Sequence, residues 1–413
     1  MTTKKPSKLC GKYKILKQEH EKIDLSLLWR HPLFRDKSTE NKANLKREIL
    51  RWRTAFTGDE KKIPLVTVLS HNDLEDKISL VLVPLLASAG MRCLKLVWSD
   101  TPSGQAVLNN FLSLPGVELP SNPVYIHKTL ARTGGMFATS PASSLLLKEI
   151  PPKSGLDTVT RFEALSLFAL YAIHWEGIVG DIRMGDYPHQ AKAQNSRDVA
   201  MVLKEHCEAA GFGCCFFINN QSQPLGHALG PDLELQEAID VLKAKGPLDL
   251  TKMALEAGAD LLMFSGGFSH RTEAKSFLRN QLLSGAAHAR FKEIIRTLKG
   301  KEEVGENLVP LPPAGEEFPI LSRRKGYIQR IAMDHLLDLK QKLCLENQGA
   351  GLLLLKKIGD TTDTNEILAK VYLPSSWSTE RIQSEMRNIY TISRFPPEFR
   401  PRTQEKIKGS FRF

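Results

Sequence analysis

At 413 residues the chain has room for two or three domains, and its 42% hydrophobic content is that of an ordinary globular protein. No run approaches the ~20 apolar residues that span a bilayer, the start lacks the apolar stretch of a secretory signal, and six scattered cysteines without a CxxC pair read as reduced, buried thiols of an intracellular protein, cytoplasmic or mitochondrial. A net charge of +11, concentrated at the two ends, points either to an acidic partner (a protein surface or a nucleic acid) or to solvated, partly disordered termini.

Residues 1–62 have weak periodicity, many charges and isolated apolar anchors at Leu27–Trp29 and Leu33–Phe34. One amphipathic helix is predicted over 44–56, with Ile49, Trp52 and Phe56 on its apolar face. From Ile63 the pattern becomes that of a βαβ unit. A strand over 65–69, a polar loop over 70–76, a very apolar helix over 78–89 ended by Gly90, and a second strand over 93–98 follow one another. Residues 125–178 read as an inserted, largely helical segment.

A strand is predicted within 176–185, a helix over 196–210, and a buried strand over 212–218 bounded by glycines and by Asn219-Asn220. A loop with Pro224 and Gly226 leads to a helix whose apolar positions Leu235, Ala238, Ile239 and Leu242 share one face. Asp232 is expected to cap its start and Gly246 to end it, and a second helix is expected from about Pro247 to Gly258. Residues 305–319 read as a Pro/Gly linker, so the expected units are a basic N-terminal extension over 1–62, an α/β core over 63–304 and a C-terminal α+β domain over 320–413.

Several stretches resemble one family. DKISLVLVPLLASAGMRCLKL (76–96), FLSLPGVE (111–118), QPLGHALGPDLELQEAIDVLKAKGPLDL (223–250) and GAGLLLLKKIGDTTDTNEILAKVYLP (349–374) are similar to segments of thymidine phosphorylase and the related pyrimidine nucleoside phosphorylases. The resemblance covers roughly 63–413. It implies a mixed central sheet with helices, a reduced helical domain, a C-terminal α+β domain and a homodimer whose usual contact helix falls in the diverged region around 150–180.

Phosphorolysis needs a phosphate held against the anomeric carbon and a stabilised leaving base. The family supplies the first with a Gly-rich loop, Lys-His-Ser-Thr-Gly-Gly-Val-Gly-Asp-Lys, whose N–H groups cradle the anion. The matching run here is Ser70-His71-Asn72-Asp73-Leu74-Glu75-Asp76-Lys77, where only Asp76-Lys77 is retained in register. With a two-residue deletion His71 falls on the catalytic histidine and Ser70 on the phosphate lysine; without it no histidine matches. Asp73 and Glu75 place negative charge where the phosphate would sit. In the second phosphate segment both threonines are lost and Ser99, Thr101 and Ser103 offer hydroxyls nearby, either as remnants of the site or as decoration of a surface loop; in the pyrimidine site Lys148 stands for the family's arginine, losing its bidentate fork. No lysine or arginine lies between Arg161 and Arg183, where the family's base-binding lysine would fall.

His174 and Trp175 either stack on a ligand or pack at a helix end, His189 and His206 are lone histidines, and Gly266-Gly267-Phe268-Ser269-His270 is either an anion loop or a turn. No P-loop, dinucleotide fingerprint or zinc spacing appears, so no cofactor is expected. Two readings follow from the resemblance: a non-catalytic descendant that serves as a scaffold or structural subunit of an assembly, or an active pyrimidine nucleoside phosphorylase with His71 as acid/base.

Overall fold

The computed structural model describes residues 24–56, 65–70, 77–97, 122–123, 128, 130, 132–133, 135–139, 158–173, 175–184, 193–299, 316–347 and 349–409. Five consecutive apolar strands build the main sheet: β1 (Leu65–Ser70), β2 (Arg92–Val97), β3 (Gly135–Thr139), β4 (Gly177–Met184) and β5 (Gly213–Asn220). They run parallel, in the order β5-β4-β1-β2-β3. Every residue of β4 and β5 except the last is buried, as befits strands covered on both faces. Gly180 is needed in β4 because the ring of Phe216 on β5 occupies the space a side chain would take.

The sixth strand corrects an expectation. The basic tail 395–413 reads as a poorly packed partner-binding end, yet β13 (Thr403–Lys408) pairs antiparallel with β5 and closes that edge of the sheet. Its charges are bound to the domain: Lys406 reaches Glu256 at 3.1 Å and lies 4.7 Å over the Phe217 ring, and Arg197 meets Glu405 at 3.2 Å.

Helix α4 (Lys77–Ser88) is buried along all but its last residue. Around it pack α7 (Pro231–Leu242), α8 (Leu248–Phe264), α9 (Arg271–Leu283) and α10 (Ala286–Lys299). Helix α5 (Thr158–Ala172) meets α6 (Ala193–Ala209), which lies on β4 and β5.

Two helix ends differ from expectation. α7 is capped by Gly230 at φ 135° with Pro231 at its first position, and Asp232 lies inside its first turn. α8 does not stop at Gly258 but runs on to Phe264, because that glycine is a helix contact: a side chain there would come within 2.8 Å of Leu278 on α9.

The described part of the N-terminal extension is also integral. α1 (Ser26–Arg30), α2 (Pro32–Arg35) and α3 (Thr39–Phe56) place Leu28, Phe34, Ile49 and Trp52 in the main core. Trp52 stacks on Phe56 with centroids 6.2 Å apart, on the face its periodicity marks.

The C-terminal unit has its own core, built on two small sheets. One contains β6 (Ala228–Leu229), β9 (Gly351–Leu354), β11 (Ile367–Leu373) and β7 (Glu316–Leu321), in that order. The other contains β10 (Thr361–Thr362), β8 (Gly326–Ile331) and β12 (Tyr390–Ser393). Helices α11 (Met333–Glu346) and α12 (Thr379–Met386) cover them. Thus β6, from the first unit, joins the second unit's sheet, and β13 returns to the first.

Candidate functional site

In a parallel sheet the ligand crevice opens beyond the carboxyl ends of the strands, where the strand order reverses. Here the chain builds outward from β1 to β2 and β3, then returns to place β4 on the other flank of β1. The crevice therefore lies beyond the ends of β1 and β4, where Ser70 is opposite Asp181. The loop carrying His71 leaves β1 at this point. His71 and Asp76 lie outside the described residues, as do Ser103 and Lys148. Ser70 is placed as the last residue of β1, and Lys77 as the first of α4.

Lys77 is not a free anion ligand. It is completely buried, and its ammonium donates to Leu225 O at 2.7 Å, to Ala228 O, and to Glu237 Oε2 at 2.7 Å. Glu237 completes the arrangement by accepting from His227 N at 2.7 Å and Ala228 N at 3.1 Å. Lys77 thereby fastens the 224–228 loop to α4 and α7.

A second lysine grips the same loop from the C-terminal unit. Lys357 donates to Pro224 O and Gly226 O, both at 2.8 Å, and to Asp249 Oδ2 at 2.6 Å. Burial is the largest influence on Lys357 and holds its pKa below the ordinary value, against the attraction of Asp249. Asp249 is held below the usual carboxylate range: burial would raise it, but Lys357 and the N–H groups of Gly226 and Leu250 outweigh that. Gln223 adds a bond from Ile358 N at 2.8 Å, and Arg402 donates to Gln223 O at 2.7 Å. The QPLGHAL and KKIGD segments, both strongly family-like, are therefore mates in one clasp between the units. Sequence reading places the resemblance in both but misses that they touch.

At the mouth of the crevice stands a buried network that sequence reading did not name as a site. Arg183 Nε donates to Asp181 Oδ2 at 2.8 Å, Asn219 Nδ2 to Asp181 Oδ1 at 2.6 Å, and Thr403 Oγ1 to Asn219 Oδ1 at 2.8 Å. Burial would raise the Asp181 pKa, yet Arg183, the Asn219 bond and Arg402 together hold it below the usual range. A charged pair inside the otherwise apolar strand 177–184 was the available signal. The network fixes the ends of β4, β5 and β13 and can orient a ligand only through groups already bonded.

Of the lone histidines, the described one, His206, sits in the core. His206 is buried, bonds Tyr171 Oη at 2.8 Å, and lies 5.9 Å from the His31 ring, which meets Glu163 at 3.0 Å. Its pKa is pushed down to about 4, first by burial and then by His31. Gly266 has φ 69° in the turn after α8, and His270 begins α9 without a side-chain cap bond. His174 and His189 lie outside the described residues.

No family model matches the chain. The pyrimidine-nucleoside phosphorylase of Staphylococcus aureus (strain USA300) is 24% identical over 316 residues, covering 73% of this chain and 73% of its own length. That of Geobacillus stearothermophilus is 24% identical over 354 residues, covering 82% and 81%. Among solved structures, anthranilate phosphoribosyltransferase from Saccharomyces cerevisiae aligns at a TM-score of 0.44 and 13% identity, over 63% of this chain and 80% of that one. In sequence, along most of its length, the chain is a divergent relative of the pyrimidine-nucleoside phosphorylases.

Proposed function

We propose that the chain is a non-catalytic relative of the pyrimidine-nucleoside phosphorylases, retained as a scaffold or structural subunit of a larger assembly. The observation that carries this reading is the connection from Ser70 to Lys77. It has no glycine, it contains Asp73, Glu75 and Asp76, and the ammonium at its end is bound to Leu225 O, Ala228 O and Glu237. A phosphate brought to that loop meets the added carboxylates of Asp73 and Glu75 and none of the backbone cradle that glycines permit. The absence of any lysine or arginine from 162 to 182 removes the cation that would stabilise the departing base. What is kept, by contrast, is the clasp of Lys77, Lys357, Glu237 and Asp249. A subunit valued for its shape needs that clasp and has no use for the loop.

The experiment is the size and composition of the native protein. Purified under mild conditions from its own cells, it is expected to run in stoichiometric complex with other components. A free protein with phosphate-dependent nucleoside cleavage would contradict the proposal. The second reading, an active phosphorylase, is favoured by one observation: similarity to proteins named for that activity extends over 82% of the chain. In it His71 serves as acid/base, with Ser70 and Ser103 as hydroxyl donors and Lys148 at the base.

A further inference from the structure

A groove of about 720 Å³ lies in the C-terminal unit and shares no residue with the crevice beyond β1 and β4. Its wall includes Phe318, Pro319, Ile320 and Leu321 in succession. Side chains of a strand alternate between faces, so a cavity touched by four consecutive residues runs along the strand's edge. β7 is the outer strand of its sheet; β11 pairs with one side, and among the described residues no strand pairs with the other. Pro319, which cannot donate, belongs to such an edge. Among the described residues no strand bonds the main-chain groups on that side.

The charge around the groove is one-sided. Arg323, Arg324 and Arg387 line it and all three are exposed, and among the described residues no acidic side chain lines it. Among the described residues none of the three joins an ion pair. The nearby carboxylates are already held by lysines: Glu317 by Lys370 at 2.8 Å, Asp363 by Lys325 at 2.8 Å, and Glu366 by Lys356 at 2.5 Å. The floor is apolar, from Leu368, Met386 and Ile392, and the Tyr390 hydroxyl is already bonded to Lys356 O and Leu368 O. Leu321 stands 46% exposed at the rim.

An unpaired strand edge, an apolar floor and three guanidiniums without carboxylates suit one kind of occupant. We propose that this groove receives an extended acidic segment of a partner polypeptide, added as a further strand to β7. Its main chain pairs with the edge, one set of alternate side chains enters the apolar floor, and its carboxylates meet Arg323, Arg324 and Arg387. The free main-chain edge favours a polypeptide over a nucleic acid, which has no strand to add. The inference holds whether or not the crevice turns over nucleoside.

The test uses the full chain and a fluorescein-labelled peptide alternating glutamate with valine, read by anisotropy. Saturable binding that weakens with added salt is expected. Affinity should fall about tenfold or more in the double variant Arg323→Glu, Arg387→Glu. It should also be lost when alternate peptide bonds of the probe are N-methylated, while the thermal transition of the variant protein stays at the wild-type value, both positions being exposed. A lysine–valine peptide should not bind. No binding of the glutamate peptide, equal binding to the double variant, or insensitivity to N-methylation would overturn the proposal. So would tighter binding of oligothymidylate that disappears in the same variant, which would make the groove a nucleic-acid site.

Discussion

Lys77 shows how a residue can keep its identity while its employment is structural. Its neighbours Asp76 and Ile78 to Ala89 match the family, so the sequence alone leaves it at the phosphate site; the fold turns its ammonium inward to the 224–228 loop. The side chain is completely buried and pairs with Glu237 at 2.7 Å. Removing one member of such a pair strands the other charge. Lys77→Met should therefore cost about 3–5 kcal/mol of stability, and adding Glu237→Gln should restore part of it. Urea unfolding followed by tryptophan fluorescence measures both. A Lys77→Met protein as stable as wild type would mean that the ammonium is hydrated rather than clasped.

His206 gives a pH dependence with a definite sign. In the fold its pKa is lowered from 6.5 to about 4 by burial, with His31 adding repulsion, while Tyr171 bonds the neutral ring and Glu163 engages His31. Between these two values the unfolded chain binds a proton that the folded one does not. Stability that is fully present above 6.5 is lost as pH falls towards about 4. The difference in urea midpoint between wild type and His206→Gln should shrink steadily from pH 7 to pH 5. A constant difference would place the proton on another group.

At the scale of elements, the tail is where the structure departs furthest from sequence expectation. A run of lysines, arginines and prolines reads as a solvated end, because composition cannot reveal that β5 lacks a neighbour. The alternation in Thr403–Lys408 was the available cue, with Ile407 buried and Lys406 lying over the Phe217 ring. Truncation after Arg402 should therefore lower the thermal transition by several degrees and promote aggregation, since it exposes a long, apolar parallel-sheet edge. A truncated protein with an unchanged transition would show β13 to be dispensable.

The strands β1, β2, β4 and β5 and helices α3, α4 and α7 were legible because strong apolar periodicity survives divergence. Helix ends were less so. Gly258 reads as a stop by its residue type, yet it is a contact point with Leu278, and only tertiary packing distinguishes the two. The N-terminal helices were missed for a related reason. Their anchors Leu28 and Phe34 are too few to make a period, although both are buried in the core.

At the scale of the whole molecule, the chain is two units fastened by exchange. β6 joins the C-terminal sheet, β13 the central one, and the clasp of Lys77 and Lys357 closes on a single loop between them. Sequence resemblance located the pieces of this clasp without their pairing. The proposed loss of the phosphate loop rests on residue type alone: no glycine stands between Ser70 and Lys77. The network of Asp181, Arg183 and Asn219 was harder to anticipate, because its members come from different strands and meet only when β4 and β5 pair.

A phosphate in a formed cradle is held by several charge-assisted bonds, each worth roughly 1.5–3 kcal/mol, and removal of one stabilising donor can slow a reaction by ~10²–10³. In the proposed reading the backbone cradle and both base-holding cations are altered together. The most direct measurement is the release of free thymine or uracil from thymidine or uridine by the purified chain at saturating phosphate, beside a His71→Ala variant. Loss of the fold's catalytic function predicts no phosphate-dependent release above the no-protein control from either protein; phosphate-dependent turnover by the wild type that disappears in His71→Ala would contradict it.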